Sequence, residues 1–64
     1  MLAIYGKHKN DKRFKAFNDS EGVFVSNRIH MTIYQDHQLE ELEEYVRGLN
    51  ELNPGYVFEV RKVQ

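Results

Sequence analysis

The hydrophobic pattern of this chain changes period once. From Asp36 to Asn53 the residues Leu39, Leu42, Tyr45, Val46, Leu49 and Leu52 recur at steps of three and four, which places them in one stripe along an α-helix. Elsewhere the period is two. Leu2, Ile4 and Gly6 alternate with Ala3, Tyr5 and Lys7; further short runs cover Arg13 to Asn18 and Val23 to Ser26; and Tyr56, Phe58 and Val60 alternate with Val57, Glu59 and Arg61. The pattern predicts one small α+β domain over residues 1–64. Its sheet is mixed, with three to five strands in the order β-β-β-α-β, and one amphipathic helix packs on one face. The expected core is Leu2, Ile4, Phe17, Val25, Ile29, Met31, Ile33, Leu39, Leu42, Val46, Leu49, Leu52, Phe58 and Val60.

The boundaries follow from local chemistry. Asp36 is the expected N-cap, because its carboxylate can accept from the free N–H groups of the first turn. Asn53-Pro54-Gly55 ends the helix, since proline lacks an N–H and biases its predecessor away from the α conformation. Gly48 interrupts good helix formers, which points to close backbone packing. Asn10-Asp11 supplies the first turn, and with those two as loop residues Ile4 lies opposite Phe17. Asp19-Ser20-Glu21-Gly22 supplies the second.

Residues 23 to 34 leave alternatives open. Val23, Val25, Ile29, Met31 and Ile33 keep one parity and would share a face of a single bent strand, whereas two strands, or a helical turn between them, fit equally well. The helical crossover from the Ile29 to Tyr34 segment to the last strand suggests a parallel, right-handed relation if both lie in one sheet.

Charge adds a second layer of organisation. Residues 1 to 18 carry Lys7, Lys9, Lys12, Arg13 and Lys15 against Asp11 alone, a local balance of +4. Residues 36 to 53 carry Asp36, Glu40, Glu41, Glu43, Glu44 and Glu51 against Arg47, a balance of −5. The molecule therefore has a basic end and an acidic face, although its net charge is only −1. Global electrostatics name no partner.

The chemistry of catalysis is not apparent in the residues. With no cysteine there are no disulfides, thiolate nucleophiles or thiolate metal ligands. His8, His30 and His37 lack the one-face spacing of a helical metal pair, and Ser20 and Ser26 have no nucleophile-elbow context. Four glutamates along one helix read as a solvated face rather than as a tuned acid and base. No enzyme activity, metal or cofactor is expected. No apolar run is long enough to span a bilayer, so no membrane partner is expected and a cytoplasmic location is the default.

Two binding surfaces remain. The basic hairpin carries Tyr5, Phe14 and Phe17 among its cations, the combination that single-strand binders use for stacking and phosphate contact. The glutamates of the helix offer a face to a basic protein partner. The runs Ile4-Tyr5-Gly6-Lys7, Asp11-Lys12-Arg13-Phe14-Lys15-Ala16-Phe17 and Phe58-Glu59-Val60-Arg61-Lys62 resemble those of short, uncharacterised reading frames of phages and prophages of Gram-positive bacteria. The resemblance implies an accessory protein acting in the host bacterial cell by binding a host protein, and it assigns no functional residues. The expected function is thus non-enzymatic binding of a host protein through Glu40, Glu41, Glu43 and Glu44. The alternative is nucleic-acid binding through Lys7, Lys9, Lys12, Arg13 and Lys15, and self-association into a homo-oligomer is a third class.

Overall fold

Strands and helix follow one another in the order the periodicity predicts. The computed structural model, which describes residues 1–63, contains β1 (Leu2–His8), β2 (Lys15–Asn18), β3 (Val23–Val25), α1 (Leu39–Leu52) and β4 (Tyr56–Lys62). Short 3-10 turns lie at Arg28–His30 and Asp36–Gln38. The strands form one sheet in the order β3-β2-β1-β4, and α1 packs on one of its faces.

Each ladder is antiparallel, so the mixed sheet expected from the sequence does not form. The segment expected to lie parallel to the last strand is not a strand of the sheet and pairs with it through an isolated bridge at Tyr34. Leu2 exchanges two 2.8 Å backbone hydrogen bonds with Tyr34 on one side and pairs with Lys62 on the other, antiparallel to both. Thr32 also donates its N–H to the carbonyl of Phe17 at 3.2 Å, so this segment bonds to both β1 and β2.

The β1–β2 register, Tyr5 with Ala16 and Gly6 with Lys15, is the one an Asn10-Asp11 turn sets. The tight turn itself does not form. Asp11 donates its N–H to the carbonyl of His8 at 2.9 Å, and residues 9–14 form a wider loop. Carried to the tip, the ladder would set Lys9 against Lys12 and His8 against Arg13, a repulsion that the loop avoids.

The core lies between α1 and the sheet. Leu42 and Val46 from the helix meet Leu2, Ile4, Phe17 and Phe58, with Phe24, Tyr34, Leu49 and Val60 packed around them. Several expected core positions lie elsewhere. Ile29 and Leu52 are 79% and 81% exposed, and Ile33 and Leu39 are also on the surface. Val25 and Met31 are half-buried. Parity explains the strand errors: Phe24, not Val23 or Val25, pairs with Phe17 and shares its inward side. Tyr34 keeps the parity of Phe24 and packs inward, whereas Ile29 and Ile33 keep the outward parity of Val23 and Val25.

The helix ends also differ from expectation. Asp36 lies in the 3-10 turn ahead of α1 instead of capping it, and its carboxylate is 2.7 Å from the Met1 ammonium. The hydrogen bond to that ammonium holds Asp36 below the usual carboxylate range. At the other end Asn50 ties the helix to the edge of the sheet. It accepts the N–H of Phe58 at 2.7 Å and donates to the Phe58 carbonyl at 3.1 Å, giving that edge residue the partners a further strand would supply.

Two glycines have opposite roles. A Cβ on Gly6 would lie 2.7 Å from the Phe58 ring and 2.9 Å from the Phe24 ring, two rings stacked with centroids 5.8 Å apart. Gly48 has nothing within 4 Å of that position, so close packing does not explain it. Gly6→Ala is therefore expected to cost about 1–3 kcal/mol by overpacking. Gly48→Ala is expected to add about 0.5–1 kcal/mol of stability through helix propensity. Urea unfolding of the two variants checks both signs.

Candidate functional site

Strand alternation sends Ala3, Tyr5 and Lys7 of β1 away from the helix, together with their partners Arg61, Glu59 and Val57 on β4. Ala16 and Val25 share this side through their pairing with Tyr5 and with each other. Phe14, just before β2, folds over the same surface. The small floor is closed: Ala3 is 0% exposed and Ala16 is buried. Above it lie two aromatic rings and their cations. The Arg61 guanidinium carbon is 4.8 Å from the Tyr5 centroid and 4.7 Å from that of Phe14, and the Lys7 ammonium is 5.5 Å from the Phe14 ring. Such distances are those of cation–π contacts. The Tyr5 hydroxyl points to the sulfur of Met31 at 3.8 Å. Beside the rings a shallow groove is lined by Arg13, Phe14, Val25 and Arg28, with no carboxylate in its walls.

The five cations singled out in the sequence divide. Lys7 and Arg13 reach this face, and Lys7 also donates to the carbonyl of Asp11 at 2.8 Å. Lys9 and Lys12 stand in the exposed loop. Lys15 touches the groove, but its pairing with Gly6 directs its side chain to the helix side. Arg28 and Arg61 were not singled out. Arg61 was legible, because Phe58 and Val60 facing the core force Glu59 and Arg61 to the opposite face. Arg28 was not, since it depends on the 3-10 turn.

A second cluster, absent from the sequence reading, joins three separate segments. The carboxylate of Asp19, in the β2–β3 turn, accepts the hydroxyls of Tyr34 (2.9 Å) and of Tyr45 on α1. Asp19 also donates its backbone N–H to the hydroxyl of Thr32 at 2.9 Å. Burial, then the Asp19 hydrogen bond, pushes the Tyr34 phenol well above the ordinary tyrosine value. The same hydrogen bond, followed by burial, raises Tyr45. Both phenols thus remain protonated donors, and the cluster acts as a tie between turn, sheet and helix.

Glu40, Glu41, Glu43 and Glu44 are all exposed on α1, which packs on the face of the sheet opposite the Tyr5 and Phe14 rings. Glu43 lies on the flank toward β4, beside Glu59 and Val60, and Glu41 on the other flank, beside Asp19 and Tyr34. Glu44 meets Arg47 at 3.6 Å. Among the described residues no group of three His, Asp or Glu side chains is placed to hold a metal ion, and no helix is long and apolar enough to cross a membrane. No family model, curated protein or solved structure matches the chain.

The tyrosine tie has a pH signature. A phenol whose folded-state pKa is raised contributes stability that is present below the unfolded value, about 10, and is lost as pH rises through the folded value. Denaturant unfolding should therefore show a fall in stability above that pH. Tyr34→Phe is expected to start about 0.5–1.5 kcal/mol less stable at neutral pH and to lose less on the alkaline side.

Proposed function

We propose that the protein is a non-enzymatic binding protein that takes single-stranded nucleic acid on the helix-free face of its sheet. The observation that carries this reading is the placement of Tyr5 and Phe14 on that face with Lys7, Arg13, Arg28 and Arg61 around them. Rings supply stacking that tolerates any base, and the cations supply contacts to phosphate. The acidic helix, which would repel a polyanion, lies on the far side of the sheet. A sheet face left uncovered by the helix suits a single strand, whose bases are free to splay, better than a duplex.

The glutamate face supports a second reading, a host protein partner with a basic surface. It is favoured by the exposure of Glu40, Glu41, Glu43 and Glu44, of which Glu44 alone pairs with a cation among the described residues. The resemblance to phage reading frames supports placing either partner inside a bacterial cell. The two surfaces lie on opposite sides, so one chain has room for both.

Fluorescence anisotropy with labelled oligothymidylate and oligouridylate tests the first reading. The logarithm of the affinity should fall linearly with the logarithm of salt between about 50 and about 200 mM. Arg13→Ala combined with Arg28→Ala should flatten the slope by about 1.4, at roughly 0.7 for each lost phosphate contact. Salt-independent binding, or none at the lowest salt, would contradict it. For the second reading, Glu40→Lys, Glu41→Lys and Glu44→Lys together should abolish nuclease-resistant capture of a basic protein from bacterial lysate while the circular dichroism is unchanged. Capture that survives the charge reversal would exclude the helix face.

A further inference from the structure

The rings that would stack on bases are already in use in the free protein. The Arg61 guanidinium lies within 4.8 Å of the Tyr5 centroid and 4.7 Å of the Phe14 centroid, so one flat cation serves both rings. Its Nε donates to the carboxylate of Glu59, two residues back on β4 and on the same face. Both partners remain accessible, with side chains 42% and 41% exposed. A guanidinium is planar, delocalised and weakly hydrated, which lets it lie on an aromatic face in the manner of a base. At exposed positions cation–π contacts and ion pairs are individually weak. Nothing covalent or deeply buried holds the group in place.

We propose that Arg61 is a displaceable occupant of the base-stacking site, held there by Glu59. This rests on the single-strand reading and adds a regulatory contact to it. When a strand arrives, a base takes the ring face and the guanidinium swings out to a phosphate, exchanging a cation–π contact and an exposed ion pair for base stacking and a charge-assisted phosphate contact. In the free state the same residue covers Tyr5 and Phe14, two large rings on a face without a helix above them. Glu59 sets the bias between the two positions. It is also the one carboxylate that β4 places beside the rings, in register with Tyr5.

Two probes separate this exchange from a general charge effect: oligothymidylate, and an abasic phosphodiester of the same length. Glu59→Gln loosens the hold on Arg61 and should tighten oligothymidylate by roughly two- to fivefold, the range an exposed ion pair commands. The abasic strand, which has no base to compete for the rings, should gain less. Equal gains for both probes would overturn the proposal, because removing one negative charge would then explain everything.

A direct readout comes from proton NMR of the Arg61 δ-methylene. Its resonances should be ring-current shifted in the free wild-type protein and should move to unshifted positions as oligothymidylate is added. Bound oligonucleotide with Arg61 still ring-shifted would refute the exchange and leave the binding reading intact. Absence of any binding would remove both.

Discussion

One helix can cover only one face of a sheet, and among the described residues α1 is the one α-helix available to do so. That constraint shapes the rest of the molecule. On the covered side Leu42 and Val46 seal Leu2, Ile4, Phe17 and Phe58 into a conventional apolar core. The other side is built differently. Alanines at positions 3 and 16 form a floor, and Tyr5 and Phe14 lie over that face with Arg61 and Lys7 at their rings. Cations with long alkyl stems cover apolar surface while their charged ends stay in water. The result is a face that is closed to solvent at its base and cationic at its top. The accessible surface, 4769 Å², exceeds the roughly 4,300 Å² expected of a compact monomer of this mass. Ile29 and Leu52, left outside, contribute to the excess.

The same constraint explains how the small core holds together. Few apolar side chains are fully buried, so polar ties carry the connections between segments. Asn50 fastens the helix to the β4 edge, and Asp19 fastens the β2–β3 turn to Tyr34 and to Tyr45 of the helix. The Asp19 ties join residues distant in sequence, and the Asn50 tie bridges the helix and the strand that follows it. Gly6 complements them by letting two phenylalanine rings sit directly over the strand.

The element order and the helix span were legible in the sequence, because each rests on a local period. The β1–β2 register was read correctly, although the Asn10-Asp11 turn it was read from gives way to a wider loop. Leu42 and Val46 could be placed in the core from the 3.6-residue stripe alone, and Ile4 and Phe17 from the register. What escaped depended on non-local choices. Apolar content favoured the odd positions of residues 23–34, but the pairing of Phe24 with Phe17 turns the even positions inward, Tyr34 among them, and leaves Ile29 and Ile33 outside. Leu39 and Leu52 are the terminal residues of α1, where no described residue covers their outer sides: Leu39 borders Leu2 and Val60 yet stays on the surface, and Leu52 is almost wholly exposed. The candidate site was legible in part. The basic run showed that cations gather near the β1–β2 loop, but the alternation of Lys15 with Ala16, and of Arg61 with Val60, decides which of them meet the rings.

The placement of the glutamates on the helix and of ring-stacked cations on the opposite face of the sheet supports a binding role for so small a fold. The helix presents glutamates to one side and the sheet presents rings and arginines to the other. The central claim is that the second side receives a single strand. Backbone amide chemical-shift mapping of the isotope-labelled protein with oligothymidylate tests it most directly. The account predicts perturbations confined to Tyr5, Phe14, Ala16, Val25, Arg28, Arg61 and their neighbours, with α1 unaffected. Shifts concentrated on Glu40 to Glu51, or no shifts at low salt, would contradict it.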